Sequence, residues 1–263
     1  MSWLFMCLAA GVGAFLVGMI GFGSSLVILP TLLLVFPLLF DADVAVRLAV
    51  GTTMASMVVG AVSAGIAQTR RGAVNWPLLR VMVAPYLLGA GAGPWLSRYL
   101  SVDVLSVYIV VILVVVAVLT LRRTTDARQA AREWRTCRLQ IFFVHVLIGL
   151  VSSVAGIASG LFAIPYLTRF ALPLREAIGT STIAAALYSA FATIGHMTAG
   201  AGVDGRPEWT IGFVYLPAFV AMSVTGGLCG MLGVGLAQRI SEQWLRRVLA
   251  VFLVAAALVI AFR

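Results

Sequence analysis

Gly21-Phe22-Gly23-Ser24-Ser25-Leu26-Val27-Ile28-Leu29-Pro30 returns later in the chain as Gly156-Ile157-Ala158-Ser159-Gly160-Leu161-Phe162-Ala163-Ile164-Pro165. Laid together at an offset of 135 residues, the copies share Gly21/Gly156, Ser24/Ser159, Leu26/Leu161 and Pro30/Pro165. Each is a small, polar, helix-breaking interruption inside an apolar run. In lipid an unpaired backbone N–H or C=O costs several kcal/mol, so such a break survives only where protein or water covers it. Matching breaks in the two halves of a chain point to the binding site of a duplicated membrane transporter. The two stretches are therefore expected to meet at a substrate site.

The composition fits that setting. Of 263 residues, 62% are hydrophobic and 10% charged, and the mean hydropathy is +1.09. Soluble domains carry roughly 25% charged residues, so the solvent for this much apolar surface must be lipid. The net charge of +9 comes from 18 arginines, with no lysine, against nine acids. A basic balance can mark a nucleic-acid binder, but these arginines sit in short links between apolar runs, the placement that orients membrane proteins. No nucleic-acid partner is expected. Cys7, Cys137 and Cys229 have no CxxC spacing and an odd count, which signals neither a disulfide framework nor a zinc site; no metal or cofactor is expected. The opening Met1-Ser2-Trp3-Leu4-Phe5-Met6 lacks the basic n-region of a signal peptide, and its apolar run leads straight into the first motif. It is expected to remain as a membrane helix.

Apolar runs lie at about 3–22, 24–40, 44–69, 76–97 and 104–121, then at about 139–155, 159–171, 176–199, 210–234 and 244–262. A spanning helix needs about 20 residues; 159–171 is short and 139–155 barely sufficient. The pair of runs around each break can thus form a hairpin that dips to mid-bilayer instead of two full crossings. Further matches support duplication. Arg47-Leu48-Ala49-Val50-Gly51-Thr52-Thr53 aligns with Arg175-Glu176-Ala177-Ile178-Gly179-Thr180-Ser181, and Gly72 and Trp76 with Gly205 and Trp209.

The charged links set the orientation. The stretch 122–138 holds Arg122, Arg123, Arg128, Arg132, Arg135 and Arg138 against Asp126 and Glu133, so it should be cytoplasmic. Counting outward from it puts Arg70-Arg71, Arg169/Arg175 and Arg239/Arg246/Arg247 inside, and Asp41–Asp43 and Asp204–Glu208 outside. The link at Arg98/Asp103 is near neutral. The equivalent links around Gly72 and Gly205 then fall on opposite faces, which makes the repeat inverted. The expected fold is an all-α polytopic membrane protein with two inverted repeats of five membrane segments each, a Gly/Ser-broken helical hairpin opening each repeat. Residues 1–121 form the first repeat, 122–138 the basic cytoplasmic linker, and 139–263 the second repeat. Inverted repeats of this kind underlie alternating access.

Asp41, Asp43, Asp103, Asp126, Glu133, Glu176, Asp204, Glu208 and Glu242 all fall in links or at helix ends. Pumps and cation carriers bury Asp or Glu inside the membrane; the absence of one at mid-membrane favours an anionic or neutral substrate. Short helices beginning at Ser24-Ser25 and Ser159-Gly160 would aim free N–H groups and positive dipole ends at an anion. Gly21, Gly23, Gly156 and Gly160 let the backbone approach closely, and Ser24, Ser25 and Ser159 add hydroxyl donors. Tight helix packing by small residues is the competing role for these glycines. Thr52, Thr53, Thr180 and Ser181 supply further hydroxyls on the next helix of each half, unless they bond back to their own backbone. Arg47 and Arg175 can draw an anion to either mouth, although snorkelling to the interface is the plainer account. Glu176 is expected to neutralise its neighbours. His145 and His196 can each carry a coupling proton, although a hydrogen-bonded structural role is preferred.

Gly18-Met19-Ile20-Gly21-Phe22-Gly23-Ser24-Ser25 through Pro30, Ala49-Val50-Gly51-Thr52-Thr53, and their echoes at Gly156–Pro165 and Ala177–Ser181 resemble the sulfite exporter TauE/SafE family, also called the toluene sulfonate uptake permease family. The likeness extends over essentially the whole chain. It implies transport of sulfite, thiosulfate, sulfonates or related small organic anions across the bacterial inner membrane, with a proton or sodium ion as candidate coupling partner. Where the family has a fuller glycine run, this chain has Ser24 and Ser25 in one copy and Ala158 and Ser159 in the other.

Two other functions compete. Ile157-Ala158-Ser159-Gly160 resembles the Gly-x-Ser-Gly context of rhomboid-type intramembrane serine proteases, with His196 as base; against it, Ser24 repeats Ser159 with no histidine placed like His196. A passive anion channel would share the same site and differ only in its flux kinetics.

Overall fold

The computed structural model describes residues 25–122, 138–168 and 172–224, with single positions at Val251, Val254 and Leu258. Gly21, Gly23 and Ser24, the first and last apolar runs, and nearly all of the basic linker lie outside the described residues.

Each break is followed by a short helix of the same design. Helix α1 (Ser25–Val35) carries Pro30 as its sixth residue, and α6 (Gly160–Thr168) carries Pro165 as its sixth. A proline so near a helix start removes one N–H while the preceding turn is still held by the others. A 3₁₀ turn, Phe36–Leu38, extends α1 towards the link at Asp41. The longer elements follow the apolar runs closely: α2 (Ala42–Arg70), α3 (Trp76–Tyr99), α4 (Val102–Arg122), α5 (Arg138–Ala155) and α7 (Leu174–Ala199). Asn75 caps α3, its side-chain oxygen accepting the N–H of Leu78 at 3.1 Å, and Pro77 follows in the first turn where no donor is needed. Helices α2 and α7 are long and apolar enough to cross a membrane.

The run 210–234 does not begin as a helix. Thr210–Ile211 (β1) pairs antiparallel with Val214–Tyr215 (β2), and a helical stretch starts only at 216. The mostly apolar Thr210-Ile211-Gly212-Phe213-Val214-Tyr215 leads directly into an apolar helix and shows no sharp compositional boundary.

Helix α3 lies against both α5 and α7, and α7 lies against α2. The α3–α5 crossing is as close as backbone allows. A Cβ on Gly149 would stand 2.6 Å from the Tyr86 carbonyl oxygen, and one on Gly89 would meet the Val146 carbonyl. Small residues permit such approach between helices in lipid. The outer faces are apolar instead: Leu88 on α3, Phe143 and Leu147 on α5, Val107 on α4 and Ile194 on α7 are all more than half exposed. That is the pattern of helices whose outer surroundings are hydrocarbon.

The two Gly-Thr motifs make matching contacts with opposite halves of the sequence. A Cβ on Gly51 would collide with the carbonyl of Phe213, and one on Gly179 with the carbonyl of Ala73. The next residue of each motif then accepts a backbone N–H: Thr52 Oγ1 from Tyr215 at 3.0 Å, Thr180 Oγ1 from Asn75 at 2.9 Å. These contacts correct one pairing. By the register of these contacts and by the proline five residues on, Pro77 and Pro217, Gly72 lines up with Gly212 rather than with Gly205; all three glycines have positive φ (63°, 58° and 75°). Trp76 likewise corresponds to Leu216 and not to Trp209, because the backbone contact is what repeats and the shared tryptophan is incidental.

Candidate functional site

Helix α5 ends in a Schellman motif. Gly156 takes φ +72° and the N–H of Ile157 bonds the carbonyl of Ser152 at 2.9 Å. A left-handed residue there favours glycine, and Val50 of α2 stands 3.1 Å from where a Cβ would be. The chain then reverses through Ala158 and restarts as α6, with Ser159 as the residue whose carbonyl accepts from Phe162 and Ala163, both at 3.1 Å.

The first residue of α1 meets the second break. Ser25, at the start of α1, accepts the backbone N–H of Ala158 on its Oγ at 2.7 Å, across 133 residues of sequence, and both residues are buried. A hydroxyl thus covers one of the N–H groups that the second break exposes, as lipid requires.

Ser159 is fully buried, and its hydroxyl has no hydrogen-bond partner. The Tyr86 hydroxyl lies within hydrogen-bonding range of the Ser159 hydroxyl, although the pair falls short of good hydrogen-bond geometry. Ser152 Oγ and His145 Nε2 are buried and unpartnered as well. Tyr86 sits edge-on to Tyr188, with centroids 5.7 Å apart, and 5.4 Å from the ring of His145. Tyr188 in turn donates its hydroxyl to the Ile157 carbonyl at 3.3 Å. Leaving a buried donor or acceptor unpaired costs about 1–3 kcal/mol each. Several such groups lie at or near the second helix break.

The remaining expected site residues divide. Thr52 and Thr180 lend their hydroxyl oxygens to the opposite half, as above. Thr53 bonds back to the Ala49 carbonyl at 2.7 Å. Ser181 Oγ is buried without a partner. Gly160 is the opposite of a packing glycine: a Cβ there would meet only Ile164, at 3.8 Å. Gly21, Gly23 and Ser24 are not described.

The arginines cap helix ends. Arg47 donates to the carbonyls of Leu100 at 2.9 Å and Asp43 at 3.2 Å, and Arg175 to that of Arg71 at 2.8 Å. Glu176 accepts from the Asn75 amide at 3.3 Å. Both histidines bond a backbone carbonyl, His145 through Nδ1 to Ile141 at 2.7 Å and His196 through Nε2 to Ser153 at 3.3 Å. Since Ser159 Oγ has no hydrogen-bond partner, no Ser159–His196 hydrogen bond exists to activate a nucleophile, which weakens the protease alternative. Every described carboxylate except the half-buried Glu176 is exposed.

Sequence reasoning missed Tyr86 and Tyr188, which belong to no repeated motif; their signal is a tyrosine facing inward from an otherwise apolar helix. An open cleft of about 330 Å³ lined by Pro37, Leu38, Leu39, Phe40, Asp41, Gly205 and Pro207 contains none of the residues around the breaks.

With this geometry in view, comparison with known proteins decides the family. The model of the family described as "Sulfite exporter TauE/SafE" matches residues 5–260. The chain belongs to the sulfite exporter TauE/SafE family. It is 26% identical to a probable membrane transporter protein of Haemophilus influenzae, over 98% of this chain and 97% of that one. It is also 26% identical to a probable membrane transporter protein of Xylella fastidiosa strain Temecula1, over 97% and 93%. A probable membrane transporter protein of Methanocaldococcus jannaschii is 23% identical, over 90% and 88%. No solved structure matches. This TauE/SafE chain is therefore a membrane transporter, and its helical architecture agrees with that membership.

Proposed function

We propose that the chain is a secondary transporter of small sulfur-containing oxyanions or organic anions (sulfite, thiosulfate, sulfonates), working by alternating access in the bacterial inner membrane. The observation that carries this is the Ser25–Ala158 contact, which holds the first residue of α1 against the second break, where the hydroxyls of Ser159 and Tyr86 are buried without a well-formed hydrogen bond. At the start of α6 the N–H groups of Leu161, Phe162 and Ala163 bond the carbonyls of Ala158 and Ser159, so the donors assigned to the anion are the N–H groups of Ser159 and Gly160, at the positive end of the helix dipole. An oxyanion placed there trades water for peptide N–H and hydroxyl donors. The lack of any buried carboxylate among the described residues suits a negative guest.

In this account residues 1–121 and 139–263 are inverted repeats joined by a cytoplasmic linker at 122–138. The reciprocal contacts of Thr52 with Tyr215 and Thr180 with Asn75 support a two-fold relation between them. Substrate contacts are assigned to Ser24, Ser25, Ser159, Ser181 and the backbone at Gly21, Gly23, Gly156 and Gly160. Thr52, Thr53 and Thr180 shape the walls.

A thermal-shift screen of the purified protein against sulfite, thiosulfate, sulfoacetate, taurine and simple carboxylates tests the substrate class, since a ligand that binds only the native state raises apparent stability. Stabilisation by at least one sulfur oxyanion is expected; stabilisation by none would remove the proposed class. In proteoliposomes a carrier saturates and shows counterflow of labelled substrate, which a channel does not.

A further inference from the structure

The anion reading leaves the unpartnered nitrogen of His145 unused. Its Nδ1 lies 2.7 Å from the Ile141 carbonyl oxygen. A carbonyl only accepts, so Nδ1 carries the ring's proton and the neutral imidazole presents a bare lone pair at Nε2. That nitrogen is buried with no partner, in a residue that is 0% exposed.

His145 is also joined to the break. Its ring is 5.4 Å from Tyr86, whose hydroxyl reaches towards Ser159, and 5.5 Å, edge-on, from Tyr166 of α6. His196 differs in place: it lies in the last turn of α7 and bonds the Ser153 carbonyl. The titratable groups around His145 are few. Helix α3 presents Tyr86 and α6 presents Tyr166, with Tyr188 of α7 behind Tyr86. Helix α4 reaches α5 through Tyr108, at the Val151 carbonyl. Among the described residues no carboxylate or arginine touches the ring.

Resting on the anion site proposed above, we infer that His145 is the proton-coupling residue of this transporter: it takes one proton at Nε2 when the anion binds beside Tyr86 and Ser159, and releases it with the anion. The added proton turns Nε2 from an acceptor into a donor and places one positive charge in a buried cluster where no carboxylate among the described residues balances it. A buried charge is costly alone and tolerable when paired. The anion supplies the pair, and the imidazolium neutralises the anion. Each therefore raises the other's affinity by the same factor. One proton crosses together with the anion, from the water on one side of the membrane to that on the other, and no covalent bond to the substrate forms or breaks.

Thiosulfate is the suitable probe, because it is fully ionised near neutrality and any proton that travels with it is carried by the protein. In proteoliposomes loaded with a pH-sensitive dye, the wild type should move protons in response to a thiosulfate gradient. His145→Gln keeps a donor for the Ile141 carbonyl; it should still exchange labelled thiosulfate at saturating concentration, with a raised KM, and lose the proton signal. His196→Gln should keep both. In the thermal-shift assay, thiosulfate should bind the wild type about tenfold more tightly at pH 6 than at pH 8, and His145→Gln with no such dependence. Proton movement by His145→Gln equal to the wild type, or wild-type thiosulfate flux with no proton, would overturn the assignment while leaving the anion site standing. Undiminished counterflow in Ser159→Ala would instead strike at the anion site itself, and wild-type protein that moves no thiosulfate would overturn both.

Discussion

Thr52 and Thr180 stand in the same relation to opposite halves of the chain: each accepts, on its side-chain oxygen, the backbone N–H of the residue just before a helix, Tyr215 at 3.0 Å and Asn75 at 2.9 Å. In each motif the glycine just before the threonine packs against a carbonyl two residues upstream of that donor. Two distant segments of chain are thereby clamped to the middle of α2 and the start of α7.

Replacing either threonine by valine keeps the shape and removes the acceptor. Thr52→Val and Thr180→Val should each lose about 1–3 kcal/mol, the cost of stranding a half-buried N–H. Thr→Ser at either position should restore most of the loss. Thermal unfolding of the purified variants in detergent measures this, and a valine variant as stable as wild type would show that the contact contributes nothing.

Ser25→Ala should be destabilised on the same ground, by about 1–3 kcal/mol, because Ala158 is buried and its N–H would have no acceptor. It should also reduce anion flux, since the contact holds the first residue of α1 against the second break. Protein yield, unfolding temperature and flux, measured on one preparation, separate the two effects.

Glycine-to-alanine changes should fall into two groups. Gly179→Ala drives a methyl into the Ala73 carbonyl and Gly51→Ala into that of Phe213; overpacking of this kind costs about 1–3 kcal/mol. Gly160→Ala meets only Ile164 at 3.8 Å, so the fold should be unaffected. If the anion approaches the backbone there, transport should still fall by tenfold or more, with normal thermal stability. Unchanged transport by Gly160→Ala would take the start of α6 out of the site.

Gly156→Ala should be unfavourable twice over. Its φ of +72° strains an L-residue by about 1–2 kcal/mol, and the new methyl would press on Val50 at 3.1 Å. Proteolysis of membranes containing the variant should show a more easily cleaved chain; resistance equal to wild type would contradict this.

Much of the fold was legible because apolar runs and their punctuation are local. Asn75-Trp76-Pro77 marks the start of α3, and the Gly156 reversal ends α5 within a few residues of where the run ends. The duplicated breaks were legible for the same reason: Gly, Ser and Pro recur at fixed spacing, and Pro30 and Pro165 occupy the same place in their helices. Contacts between distant segments were not legible. Tyr86 meets His145 and Tyr188 only because α3 packs on α5 and α7, and no spacing in the sequence encodes that. The tryptophans at 76 and 209 misled the alignment of the second link, since an indole at an interface can be kept by the membrane alone. The better signal was the glycine–proline spacing at Gly72/Pro77 and Gly212/Pro217.

The most direct test is to locate an anion in the structure. Selenate is a tetrahedral oxyanion with a strong anomalous signal, so crystals grown with it would reveal the site independently of any flux assay. The account predicts a single anomalous peak within hydrogen-bond reach of Ser159 Oγ, between the starts of α1 and α6. Peaks confined to the protein surface, with none beside Ser159, would contradict it.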